Sequence, residues 1–152
     1  EIGEKTLGPN HPDLATRLNN LAGLLENQGK YDEAKLLYER AIEIDKKIYG
    51  PNHAGVATNL SNLAGLLKKQ GKYDEAKPLF ERAIEIWEKV HGPNHPHVAT
   101  MLSNLAGLLK DQGKYDEAKP LCFTNVLLKL IRKFTVQIMQ VLPPISATLL
   151  GC

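Results

Sequence analysis

Cysteine is nearly missing from this sequence: there are two in 152 residues, and one of them is the last residue. That is too few for a disulfide scaffold or a zinc cage. An excess of either charge is missing as well. The formal net charge is +2, which leaves no electrostatic footprint for nucleic acid. No run of about 18 apolar residues occurs, and no charged-then-apolar leader is recognisable, so neither a membrane span nor a secretory signal is expected. No segment alternates with period two for long enough to argue a strand. The motifs G-x-G-x-x-G, Walker loop, G-x-S-x-G and H-E-x-x-H are all absent. Cys122, beside Phe123, lacks an identifiable base partner, which argues against a reactive thiol. The expectation is no enzyme, no cofactor, no metal and no nucleic-acid partner. With 43% hydrophobic and 24% charged residues, wholesale disorder is excluded too.

What the chain does have is repetition. GPNH begins at Gly8, Gly50 and Gly92, a period of 42 residues. Residues 8–49 and 50–91 agree at 29 of 42 positions, far above chance. The third copy follows the second through Leu121 and then stops matching. Residues 1–7 align with the tail of the first copy, 43–49. The expected organisation is therefore the end of a preceding repeat (1–7), repeat one (8–49), repeat two (50–91), partial repeat three (92–121) and a divergent tail (122–152). Charge follows the same division. All 17 acidic residues precede Cys122, whereas Lys129, Arg132 and Lys133 follow it.

Each copy reads as two helices. In the second, Val56, Leu60, Leu63, Ala64 and Leu67 recur at spacings of three and four, one apolar stripe of a helix. Gly71 then offers a left-handed stop. Tyr73-Asp74-Glu75 opens the next helix, with Asp74 placed to cap its free amides. Ala76, Leu79, Phe80, Ala83, Ile84 and Trp87 form the second apolar face, and Gly92-Pro93 ends it. The pattern predicts helices over 11–28, 32–48, 53–70, 74–90 and 95–112, with a sixth starting near 116. A single hairpin cannot bury both its faces. Stacking lets Leu21, Leu25, Tyr38 and Ile42 of one copy meet their neighbours, so stability accrues at each junction.

These helix pairs resemble the tetratricopeptide repeat. The residues that carry the likeness are Leu18, Leu21-Ala22, Leu25, Gly29, Tyr31, Ala34, Tyr38 and Ala41 in the first copy. They recur as Leu60, Leu63-Ala64, Leu67, Gly71, Tyr73, Ala76, Phe80 and Ala83 in the second. The third copy gives Leu102, Leu105-Ala106, Leu109, Gly113, Tyr115 and Ala118. There the match ends, with Cys122 where Phe or Tyr belongs and Asn125 where Ala belongs. The period exceeds the usual one of about 34, and the long variant is similar to the repeats of kinesin light chains and nephrocystin-3-like proteins. The resemblance implies an all-α, right-handed superhelical solenoid of antiparallel helix hairpins. It also implies a cytoplasmic scaffold or adaptor that binds protein or peptide rather than a catalyst. The alternative is a regulatory or sensor array of a larger signalling protein, making intramolecular contacts.

In such arrays the first helix of each hairpin lines a concave groove. The motif then assigns Thr16, Asn19, Asn20, Gly23, Glu26 and Asn27 to the groove in copy one. Copy two contributes Thr58, Ser61, Asn62, Gly65, Lys68 and Lys69. Copy three contributes Thr100, Ser103, Asn104, Gly107, Lys110 and Asp111. Asn20, Asn62 and Asn104 are the sharpest candidates, because an amide both donates and accepts and can satisfy an extended peptide's backbone. Against this stands a ladder of asparagines that bonds neighbouring helices and touches no ligand. Gly23, Gly65 and Gly107 either let a peptide come close or serve helix packing. Lys68, Lys69 and Lys110 either favour an acidic ligand, such as the tryptophan-bearing acidic segments that kinesin light chains recognise, or are solvated surface. A carboxylate clamp of the chaperone-binding type is disfavoured, since Thr16, Thr58 and Thr100 stand where it needs lysine.

The recurring histidines His11, His53 and His95 read as loop or helix-start contacts. Copies of one residue in a solenoid lie about 10 Å apart, too far to share a metal ion. His97 beside His95 does not change that. In the tail, 126–142 fits a basic amphipathic helix ended by Pro143-Pro144. Packing of that helix on the open end of the array ranks above contact with a membrane surface. A third reading is an altered exon junction or frameshift at 122, which predicts exposed apolar area and self-association through the open end.

Overall fold

The structure, a computed structural model, describes residues 12–121. Among these residues there are five complete helices: α1 (Pro12–Asn27), α2 (Tyr31–Tyr49), α3 (Ala54–Lys69), α4 (Tyr73–His91) and α5 (Pro96–Asp111). A sixth, α6, opens at 115 and runs to the last described residue, 121. No strand occurs among the described residues. The described helix boundaries lie one residue from those that periodicity and turn chemistry predict.

The turns explain why the boundaries fall where they do. Gly29, Gly71 and Gly113 sit between the two helices of a hairpin with φ of 77°, 74° and 74°, a left-handed conformation that costs glycine alone nothing. Behind Gly71, the Lys72 N–H donates to the Leu67 carbonyl at 2.9 Å and the Gly71 N–H to that of Lys68 at 3.0 Å, closing the free end of α3. Between hairpins, Gly50 and Gly92 end α2 and α4, and Pro51 and Pro93 cannot extend them. The next helix is capped by histidine: His53 Nδ1 accepts from the Gly55 N–H at 3.1 Å, and His95 Nδ1 from the His97 N–H at 3.3 Å.

One expectation fails at these ends. Asp74 does not cap α4; the cap position is Lys72, which makes no side-chain cap bond. The chain passes from the left-handed glycine straight into the helix, so α4 starts ahead of the carboxylate. Asp74 lies in the first turn, still favourable at the positive end of the helix. Its Oδ1 instead accepts from Gln112 Nε2 at 2.9 Å.

Packing is between neighbours. α1 pairs with α2 and α3 with α4 as hairpins; α2 against α3 and α4 against α5 join successive hairpins, and α3 also touches α5. Ala34, Ala41, Ala76 and Ala83 are wholly buried, their small side chains leaving room for neighbouring helices. Phe80, Leu66, Leu67, Ile86, Leu108 and Leu109 are large side chains fully buried in the same core. Tyr38 and Ile42 are buried as expected, and Leu25 packs half-buried against the core. Leu21 is the exception: it is 46% exposed, whereas its counterparts Leu63 and Leu105 are each 5% exposed. The preceding hairpin covers α3 and α5, but no described helix covers the outer flank of α1. Among the described residues no helix is long and apolar enough to cross a membrane. The expectations for 1–7, His11, Cys122, Asn125 and the tail 122–152 fall outside the described residues.

Candidate functional site

Three first helices, α1, α3 and α5, set one flank of the molecule. On each, residues three and four apart share a face, which puts Asn20, Gly23 and Asn27 in one stripe and repeats it at Asn62, Gly65, Lys69 and at Asn104, Gly107, Asp111. Two hollows open on this flank. The first, about 490 Å³, lies between α1 and α3 and is lined by Asn19, Asn20, Gly23, Leu24, Glu26, Asn27 and Asn62, with Tyr38 of α2. The second, about 390 Å³, lies between α3 and α5 and is lined by Gly65, Lys68, Lys69, Asn104 and Asp111, with Phe80 of α4. Ser61, Ser103 and Lys110 line neither of these two hollows.

Of the asparagines, Asn20 and Asn104 are exposed while Asn62 is half-buried. Asn62 Nδ2 donates to Asn19 Oδ1 at 2.9 Å and so ties α3 to α1. The interhelical ladder therefore has a rung at Asn62, and the amides of Asn20 and Asn104 face solvent. The hydroxyls of Thr58, Thr100 and Ser103 bond back to the carbonyls of Ala54, Pro96 and Ala99, one turn earlier on their own helices.

The glycines are not pressed by helix backbone. A Cβ on Gly65 would meet nothing within 4 Å, and one on Gly23 would make ordinary contact with the Tyr38 hydroxyl at 3.7 Å. One on Gly107 would stand 2.9 Å from Lys68 Nζ, the mobile end of a long side chain. At Gly23 and Gly65 the absent side chains thus leave the hollows open rather than admitting a neighbouring helix.

Charge around the two hollows is largely paired. Lys69 Nζ lies 2.6 Å from Glu26 Oε1, and the Tyr38 hydroxyl donates to Glu26 Oε2 at 3.1 Å. The hydrogen bond to Glu26, and then the Glu26 charge, raise the pKa of Lys69 and keep it a cation. Burial, and then the adjacent Glu26 charge, raise the Tyr38 pKa so that the phenol stays protonated. Lys68 Nζ pairs with Asp111 Oδ2 at 3.1 Å. Two of the three lysines expected to attract an acidic ligand are therefore engaged by acids of an adjoining hairpin. Lys110 is exposed and has no ion pair among the described residues.

Away from the hollows, the loop ends of the hairpins hold features that the sequence pattern did not disclose. Asp45 is buried, and its Oδ2 accepts from Asn59 Nδ2 at 2.9 Å. Burial raises its pKa, partly offset by the nearby His53. At the next junction Trp87 is packed among three imidazoles, with ring centroids 4.7 Å from His91, 5.1 Å from His95 and 4.4 Å from His97. Its indole Nε1 is buried with no hydrogen-bond partner among the described residues. Among those residues, no three of His, Cys, Asp and Glu are grouped to hold a metal ion. The sequence does carry a signal for these sites: Asp45 and Trp87 occupy the same repeat position and could hardly differ more in chemistry.

The comparisons with known proteins agree with this geometry. The tetratricopeptide repeat model matches residues 1–47, 18–83 and 55–121. No curated protein matches. Among solved structures, BtubC (BKLC) from P. vanneervenii superposes with a TM-score of 0.81 at 24% identity, over 87% of this chain and 53% of its own. A Podosopora anserina kinesin light chain candidate with nearly identical TPR-like repeats gives 0.71 at 25% identity, over 79% and 57%. The N-terminal domain of stress-induced protein-1 from C. elegans gives 0.64 at 20% identity, over 80% and 92%. The chain thus spans little more than half the length of the first two. Stacked hairpins, glycine turns, buried alanines at helix crossings and overlapping family matches through Leu121 have one common account: this chain belongs to the tetratricopeptide repeat family.

Proposed function

We propose that the chain is a non-enzymatic protein-interaction module that holds an extended polypeptide along α1, α3 and α5. The observation that carries this is the pair of open hollows on one flank, floored by Tyr38 and Phe80 and rimmed by the exposed amides of Asn20 and Asn104. An amide rim suits a ligand's backbone, since each asparagine offers both a donor and an acceptor.

The ion pairs refine the ligand class. An acidic segment has to compete with Glu26 for Lys69 and with Asp111 for Lys68. Backbone recognition therefore carries more of the affinity than charge, and binding weakens only modestly with added salt. A peptide selected from a random display library on the full chain serves as the probe. Gly65→Leu fills the second hollow from a position whose surroundings are open. The expected result is about a tenfold loss of peptide affinity, or about 1.4 kcal/mol, with thermal unfolding no lower than wild type. Full affinity in this variant places the ligand elsewhere.

A further inference from the structure

The second and third copies are almost the same sequence. Over 50–79 and 92–121 they differ at four positions: Ala54/Pro96, Gly55/His97, Asn59/Met101 and Lys69/Asp111. Three of these four face the preceding copy, at places where that copy has changed as well. At the first junction, Lys69 pairs with Glu26 and Asn59 donates to the buried Asp45. Gly55 leaves room for that carboxylate, since a Cβ there would stand 2.8 Å from Asp45 Oδ2. At the second junction every partner is exchanged. Lys68 replaces Glu26 and pairs with Asp111, so the ion pair is reversed. Trp87 replaces Asp45, stacks on His97 and shares the apolar core with Met101.

We propose that these residues form a register code, in which the outgoing face of each repeat accepts one incoming face and rejects the others present in the same molecule. The rejected pairings are specified by the same side chains. Copy one against copy three sets Glu26 beside Asp111, two like charges. It also buries Asp45 against Met101, which cannot donate, and against His97 where Gly55 leaves space. Copy two against a second copy two sets Lys68 beside Lys69 and aims Trp87 at Asn59. A buried carboxylate without its donor and a like-charge contact are both unfavourable. An array of near-identical hairpins needs such a device, because without one a slipped or interchain-swapped pairing buries nearly the same apolar surface. The partner that fits the copy-one face is a repeat presenting glycine, asparagine and lysine. The partner that fits the copy-two face presents histidine, methionine and aspartate.

Rewriting one side and then both, in the full chain, tests the code. Glu26→Lys and Lys69→Asp each create a like-charge contact, whereas the double variant rebuilds the second junction's polarity at the first. In urea unfolding, each single substitution should lower the midpoint and the double should recover at least half the loss. Asp45→Trp should lower it further, and adding Gly55→His and Asn59→Met should restore part of it. Recovery in either set that exceeds the sum of the separate effects supports the code. Strictly additive losses in both sets overturn it. A second readout does not depend on the mutants being stable. With the second junction rewritten to the chemistry of the first (Lys68→Glu, Phe80→Tyr, Trp87→Asp, His97→Gly, Met101→Asn, Asp111→Lys), light scattering should show more oligomer than wild type after refolding. An unchanged mass distribution counts against the code.

Discussion

At the scale of single residues, the buried carboxylate of Asp45 has a measurable consequence. Burial raises its pKa, so the folded chain still holds the proton at pH values where the unfolded chain has released it. Stability contributed at this position therefore declines as pH rises from the usual carboxylate pKa of about 4 through the folded-state value, and is level above it. Asp45→Asn keeps an oxygen able to accept from Asn59 and removes the titration. The stability of wild type relative to Asp45→Asn, from urea unfolding across the acid range, should fall as pH rises. A difference that stays constant with pH would show that the carboxylate is effectively solvated. Tyr38 and Glu26 form another internal polar contact, and there the proton stays on the phenol throughout.

The helices show how much was legible in the sequence. Their limits were, because the apolar spacing and the glycines are local signals and each copy repeats them. That Asn20, Gly23 and Asn27 share one face of their helix was legible for the same reason: residues on one helix face follow from spacing alone. The ion pairs of Lys68 and Lys69, the Asn62–Asn19 bond and the Trp87 imidazole cluster were not. Each depends on which side chain the next hairpin sets opposite, and that is not encoded in the periodicity of either helix. Asp74 departs from the pattern because the left-handed glycine leads into the helix early enough to place Lys72 at the cap. Within α4, Pro78 is the sixth helical residue and removes one backbone hydrogen bond, while copy one carries the exposed Leu36 at the same place. Pro78→Leu should therefore stabilise the chain by about 1–3 kcal/mol. Calorimetry showing no rise in unfolding temperature would mean that the helix already absorbs the proline without strain.

At the scale of the molecule, each hairpin leans on its neighbours, and a one-dimensional stack of this kind leaves long flanks and two ends. Leu21 and Leu24 show what an uncovered flank looks like: the same residues in the next copies, Leu63 and Leu66, are buried. The lining of the two hollows is mostly polar or glycine, with Tyr38, Phe80 and the exposed Leu24 as its apolar part. The most direct measurement of the proposed role is a titration of the display-selected peptide into the chain and into its Asn20→Ala, Asn104→Ala variant, with circular dichroism on both. The account predicts that helicity is unchanged and that affinity falls about tenfold, the loss expected when two hydrogen-bonding amides are removed. Wild-type affinity in a fully helical variant would contradict it.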